Sequence, residues 1–375
     1  MSRLVPEVDP DGLLEYSVVF NDRSLNHMSA RFQQVMRDIS HTLGEVYSAD
    51  AVAVVPGGGT WAMEAVARQF AGTGPSLVLR NGWFSYRWSQ ILEMAGMAGD
   101  CSVLKARPVE EGAQPAWAPV PLEQVLETIR SERPAVVFAP HVETASGMVL
   151  PEAYIEAVGR AVREYDGLFV LDCVASGALW VDMKRCLVDV LISAPQKGWS
   201  ASPCAGLIML SERARERALA ATSSSFAADL RRWLGIMQAY EDGGHAYHAT
   251  MPTDALTVFR DTMLETCEDG LEWLRERQWT LGRQVRELLG RRGFRSVAAE
   301  GFQAPGVVVC HTTDEALHRG SAFAQQGLQT AAGVPLMCDE PEDFRTFRVG
   351  LFGLEKLRHV DRTVELFDKA LNAVT

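Results

Sequence analysis

The chain has 375 residues, 47% of them hydrophobic and 22% charged, ordinary globular values that exclude disordered, collagenous and fibrous classes. At roughly one domain per 100 to 200 residues the length allows two or three domains around a large buried core. The balance of 36 Lys plus Arg against 48 Asp plus Glu gives a net charge of −12, which argues against a non-specific binder of nucleic acid or of an anionic membrane, since both require excess positive charge.

The first twenty residues, MSRLVPEVDPDGLLEYSVVF, place acids and prolines where a secretion signal would carry a basic region and an apolar run. Nowhere is a stretch of about 18 residues apolar enough to span a bilayer, so a cytoplasmic protein without a membrane partner is expected. AVAVVP (51–56) reads as a buried strand and runs into Pro56-Gly57-Gly58-Gly59-Thr60 and a helical pattern over 60–70. A glycine turn opening a helix can aim free N–H groups and a hydroxyl at a phosphate, although taken alone it is also an ordinary turn. SLVLR (76–80) is a second strand, followed by Asn81-Gly82-Trp83-Phe84-Ser85-Tyr86-Arg87-Trp88, read as an aromatic-rich loop able to lend a ring to a flat ligand or to the core.

AVVFAP (135–140) leads into His141-Val142-Glu143-Thr144-Ala145-Ser146-Gly147. His141 and Glu143 lack a third ligand at a sensible spacing, so no metal is expected there. After a helical pattern over 152–167, LFVLD (168–172) ends on Asp172, a carboxylate that needs a cation or donor to offset its burial. DVLISA (189–194) is followed by Pro195-Gln196-Lys197-Gly198-Trp199, where a lone lysine among small and apolar residues should have a lowered pKa, as an amine nucleophile requires. An ion pair or a snorkelling surface lysine is the competing reading. AGLIML (205–210) is the last strand of the series, and 211–250 reads as a short helix and then a loop.

Strands alternating with helices predict an α/β fold with a mainly parallel sheet. From about Thr253 to Arg292 a long charged helical pattern is interrupted only by Gly270 and Gly282; a strand at 306–310, a helix near 314–326, a strand at 345–352 and a final helix over 354–373 follow. The expected division is a large domain over 20–252 and a small α+β domain over 253–375, helped by residues 1–19. The seven cysteines are scattered, form no C-x-x-C pair and read as reduced structural thiols.

In an open parallel sheet, ligands sit outside the carboxyl ends of the strands. A phosphate-cradling turn, a ring, a carboxylate and a lysine 25 residues after it, all at such ends, are together what pyridoxal 5′-phosphate needs. In GGGTWAMEA (57–65), NGWFSYRW (81–88), HVETASG (141–147), LDCVAS (171–176), SAPQKGW (193–199), YHATMP (247–252) and FRVGLFG (347–353), the chain resembles the class V aminotransferases of pyridoxal-phosphate fold type I, particularly the alanine–glyoxylate and serine–pyruvate group. The resemblance runs from about residue 27 to 372.

This resemblance implies that Lys197 is the Schiff-base lysine and Asp172 the carboxylate on the pyridine nitrogen. Val174 matches the aliphatic contact on one ring face and Phe84 the aromatic on the other. Gly58, Gly59 and Thr60 match the phosphate turn, and Gln196 a phosphate-contacting glutamine. Tyr247 and Thr250 match a pair supplied by the neighbouring subunit, which implies a homodimer with shared sites. Arg348 matches the arginine that clamps a substrate carboxylate. The implied activity moves an amino group between a small amino acid and a 2-oxo acid such as glyoxylate or pyruvate by a ping-pong mechanism. Gly58 stands where relatives often have serine, Ala145 replaces a hydroxyl residue, the turn after the lysine is reduced to Ser202-Pro203-Cys204-Ala205-Gly206, and the amino terminus lacks the usual P-G-P opening. Alternative readings are a 2-aminoethylphosphonate–pyruvate transaminase, a cysteine desulfurase or selenocysteine lyase using Cys338, and a non-catalytic cofactor-binding module.

Overall fold

The computed structural model describes residues 13–374; the first twelve residues, part of the segment expected to assist the small domain, lie outside the described residues. Seven strands form the main sheet: β1 (Ala51–Pro56), β2 (Ser76–Arg80), β3 (Cys101–Lys105), β4 (Val136–Pro140), β5 (Leu168–Asp172), β6 (Val190–Ser193) and β7 (Ala205–Leu210). Their spatial order is β1-β7-β6-β5-β4-β2-β3. β7 pairs antiparallel with both β1 and β6, and every other pairing is parallel, so six strands run one way and β7 runs against them. Successive side chains of a strand point to opposite faces, and every residue of β2, β4, β5, β6 and β7 is buried. Both faces are therefore covered, which is why these strands read as unbroken apolar runs rather than alternating ones.

The covering helices include α1 (Ala30–Tyr47), α2 (Gly59–Phe70), α3 (Trp83–Met94), α4 (Leu122–Glu132), α5 (Glu152–Arg163), α6 (Glu212–Ala220) and α7 (Leu230–Glu241). Two corrections to the sequence reading fall here. The aromatic stretch after β2 is not a loop: only Asn81 and Gly82 precede α3, and Phe84 sits in its first turn. The stretch 211–250 holds a second helix, α7, started by the Asp229 side chain accepting from the Arg231 N–H and buried along Leu230, Trp233, Leu234 and Met237. Gly235 and the paired arginines had masked its apolar face.

The C-terminal third carries α8 (Thr253–Asp269), α9 (Leu271–Arg291) and a three-stranded antiparallel sheet of β8 (Val307–His311), β9 (Ala331–Ala332) and β10 (Thr346–Gly350), followed by α10 (Leu354–Arg358) and α11 (Val360–Val374). β10 lies in the middle, with Arg348 opposite Val309 on one side and Ala331 on the other. The long helical pattern breaks at Gly270, whose φ of 91° suits glycine, yet runs straight through Gly282. The helix expected near 314–326 is two short turns, Glu315–His318 and Ser321–Gln325, separated at Gly320 in the left-handed region. This third is stitched to the segments before it by the Ala304 N–H donating to Gly147 O (2.8 Å) and the Trp117 N–H to Val297 O (2.7 Å). No helix among the described residues is long and apolar enough to cross a membrane.

Candidate active site

Because β1, β2, β4, β5 and β6 run the same way, the residues that follow them gather along one edge of the sheet. After β1, Gly58 is the N-cap of α2 and offers no side-chain cap. The Gly59 and Thr60 N–H groups that follow have no acceptor among the described residues, which leaves the positive end of a twelve-residue helix open to an anion. A Cβ on Gly59 would lie 2.7 Å from Val174 Cγ2, so only glycine lets the turn rest on Val174, whereas nothing lies within 4 Å of where a Cβ on Gly58 would stand. Thr60 Oγ1 accepts from Arg87 Nη1 at 3.0 Å.

Asp172 closes β5, held in register between Pro140 and Ile192. It is buried, and among the described residues its carboxylate accepts one hydrogen bond, from the Val174 N–H (3.0 Å). Burial raises its pKa to about 7; the Val174 bond opposes this, Glu143 adds to it, and the Arg87 and Lys197 charges pull it back. Lys197 follows β6 by four residues. Burial, then the Arg348 charge, hold its pKa below the ordinary lysine range, with Asp172 acting the other way. Its Nζ stands 5.3 Å from the centroid of the Phe352 ring. Beside it, Gln196 Oε1 is enclosed and has no hydrogen-bond partner among the described residues.

Phe84 has two guanidinium groups over its ring, Arg87 at 4.8 Å and Arg348 at 5.5 Å from the centroid. Arg348 reaches back from β10 and is held by Nε donating to Ala332 O (2.7 Å) and Nη1 to Thr144 O (3.5 Å). Burial lowers its pKa from an arginine's usual value while the Glu143 charge raises it. Glu143 organises this corner: it accepts from the Ser85 N–H (2.8 Å), the Phe84 N–H (3.3 Å), the Ala145 N–H (2.9 Å) and lies 2.8 Å from Ser85 Oγ. A buried carboxylate thus caps α3 and fixes the turn that presents Phe84; burial pushes its pKa up and those four bonds restrain it.

Arg87 and Phe352 were not singled out from sequence, and Glu143 was weighed there only as a metal ligand. The available signals were an arginine inside an aromatic motif, an acid directly after a buried strand, and a second aromatic four residues past Arg348.

The structure does not bring Tyr247 and Thr250 to this cluster. Their hydroxyls are 3.0 Å apart on an exposed loop, and the Tyr247 ring lies 5.6 Å from His27. His141 is taken up internally, with Nδ1 2.7 Å from Ser176 Oγ and burial lowering its pKa to about 3, so it stays neutral. Burial pushes the Cys338 thiol up to about 12 and Cys204 to about 11, and Cys173 well above the usual range; none is poised as a thiolate.

The edge therefore combines an open helix N-terminus, a buried carboxylate short of a cation, an amine with a lowered pKa and an arginine aimed inward. The family model described as Aminotransferase class-V matches residues 13–298. The alanine–glyoxylate aminotransferase of Rattus norvegicus is 28% identical over 297 residues, covering 76% of this chain and 66% of that one, just under two thirds of its length. The 2-aminoethylphosphonate–pyruvate transaminase of Syntrophobacter fumaroxidans is 25% identical over 331 residues, covering 86% and 84%. The solved structure of an alanine–glyoxylate aminotransferase from Nostoc superposes with a TM-score of 0.77 over 92% of this chain and 88% of that one at 22% identity, a likeness of fold.

Proposed function

The chain belongs to the class V aminotransferase family, and from that membership we propose that it moves an amino group between a small amino acid of the alanine or serine type and a 2-oxo acid such as glyoxylate or pyruvate. The observation that carries this reading is the meeting of Lys197, Asp172 and Arg348 at one edge of the sheet, with charges that act on one another. The residues present fit pyridoxal 5′-phosphate, the family's cofactor. Gly59 and Thr60 N–H groups and the enclosed Gln196 Oε1, an acceptor for a protonated oxygen or a bridging water, suit its phosphate. Asp172 lacks the cation that a protonated ring nitrogen provides, and Phe84 and Val174 offer surface to a flat ring. When bound, the cofactor supplies an electron sink for the charge left by deprotonation at the substrate's α-carbon.

The chain's own residues do the rest. Arg348 Nη groups take the substrate carboxylate by a two-pronged hydrogen bond, its Nε being held by Ala332 O. Lys197 Nζ, with its pKa lowered, carries the proton to and from the α-carbon as general base and acid. Asp172 keeps the proton on the ring nitrogen by placing a carboxylate in a dry setting.

Tyr247 and Thr250 are assigned to the site of the neighbouring subunit in a homodimer. Support comes from their exposed paired hydroxyls and from large apolar side chains left open, Trp61, Phe226 and Tyr247 at 54%, 78% and 53% exposure, with Phe226 lying against His248 of the same loop. Seven unpaired cysteines suit a reducing cytoplasm. The aminophosphonate reading is kept as second, favoured by the length of the match to the Syntrophobacter enzyme; the desulfurase reading loses its nucleophile with Cys338 buried and its thiol protonated.

The test is a scan of alanine, serine and 2-aminoethylphosphonate against pyruvate and glyoxylate, following the visible absorbance of the cofactor. Turnover is expected with alanine or serine. Lys197→Ala should bind cofactor without a covalent link and lose turnover by several orders of magnitude; transamination surviving in that variant would sink the assignment.

A further inference from the structure

Between α9 and the turn 301–303 lies an open cavity of about 550 Å³, within the range of small-ligand pockets. Trp279, Arg283, Arg286 and Glu287 line it from α9 at spacings of four, seven and eight residues, which is one stripe of a helix. Gly301 and Gln303 form the facing wall.

The arginines are the informative groups. Arg358, Arg213 and Arg260 each meet two or more carboxylates, whereas neither Arg283 nor Arg286 has an ion-pair partner among the described residues. Arg286 is half-buried. Its Nη2 donates to Ala304 O at 2.8 Å, while among the described residues its Nε, shut off from solvent, has no partner and its Nη1 makes no hydrogen bond. Taking a guanidinium partly out of water without an opposing charge is unfavourable, and burial pulls its pKa down to about 10. Glu287, the single acid in the lining, makes no ion pair with either arginine. Next to them Trp279 keeps 43% of its surface exposed, and a Cβ on Gly301 would meet nothing within 4 Å, so the space beside the indole is open.

We propose that this cavity binds a planar aromatic anion, a ring bearing one phosphate or one carboxylate, with Trp279 against the ring and Arg283 and Arg286 on the anionic group. An indole offers a flat apolar face, and planar guanidinium forks match either oxyanion. The cavity is separate from the substrate site, none of whose residues line it.

The test is calorimetric titration of the cofactor-loaded enzyme, without amino donor, against phenyl phosphate, benzoate and inorganic phosphate. Saturable binding of phenyl phosphate or benzoate is expected, the tighter of the two identifying the anionic group, and inorganic phosphate should bind more weakly than either. Arg283→Ala and Trp279→Ala, both at exposed positions, should each weaken binding by about tenfold and leave transamination unchanged. Absence of saturable binding overturns the proposal, as does affinity unaltered in both variants, which would put the ligand elsewhere. Inorganic phosphate binding as tightly as phenyl phosphate overturns the role of the ring. Because no turnover is read in the titration, its failure is distinct from failure of the aminotransferase reading.

Discussion

Asp172 is poised by what surrounds it more than by what it touches. One backbone N–H cannot balance a buried carboxylate, and its pKa of about 7 against about 4 for an unfolded aspartate means the native state holds this proton longer. Below about pH 4 both states are protonated and nothing is lost; between about pH 4 and 7 the unfolded chain gives up the proton while the native state keeps it, so stability falls as pH rises and levels off once both are ionised. Cofactor-free protein is therefore expected to lose stability between about pH 4 and 7, on the order of a few kcal/mol. Asp172→Asn should flatten that decline, read as melting temperature against pH in the two proteins. An equal slope in the variant would show that Asp172 is not the group responsible. Glu143, also raised by burial, contributes in the same direction, so the slope should shrink rather than vanish.

Helix α9 shows why a residue's ordinary propensity can be outvoted by its neighbours. Glycine in a helix interior is normally about 1 kcal/mol worse than alanine, so Gly282 looks like a defect with an easy repair. A Cβ there would fall 2.5 Å from both Cα and O of Pro305, backbone atoms that cannot swing aside, and Pro305 O also accepts from the Gln278 side chain (3.2 Å). Overpacking of this kind costs about 1–3 kcal/mol. Gly282→Ala should accordingly destabilise the protein by roughly that amount in urea unfolding, and a stabilised variant would contradict the close approach of α9 to Pro305. The same helix carries Arg283 and Arg286 on the stripe away from its buried leucines.

For the whole molecule, the proposed sharing of sites between subunits makes a prediction no single chain can. If Lys197 of one subunit works with Tyr247 and Thr250 of the other, Lys197→Ala and a Tyr247→Phe, Thr250→Val double variant fail for reasons that lie on different subunits. Mixing the two after partial unfolding should create hybrids with one intact site and restore activity that neither parent has. Activity no greater than the sum of the parents would mean that each chain completes its own site. The acids behind the net charge of −12 are mostly exposed, and two of the buried ones, Glu143 and Asp172, face Arg87, Lys197 and Arg348 at the edge of the sheet.

The strands of the main sheet were legible because burial on both faces leaves continuous apolar runs, and their polar followers, Asp172 and Lys197 above all, stood out against that background. Motif spacing was enough to reach the family. Lost to a linear reading were α7, whose apolar stripe is interrupted by Arg231, Arg232 and Gly235, and the helical nature of the Phe84 segment, which depends on a carboxylate 59 residues away at Glu143 capping α3. The orphaned state of Arg286 is likewise invisible in sequence, because being unpaired is a statement about every other chain segment that might have approached. Local pattern determines which residues can be strands, caps or nucleophiles. Which charges are left without partners is decided only by the packing, since desolvation and ion pairing depend on neighbours that the chain brings together from a distance.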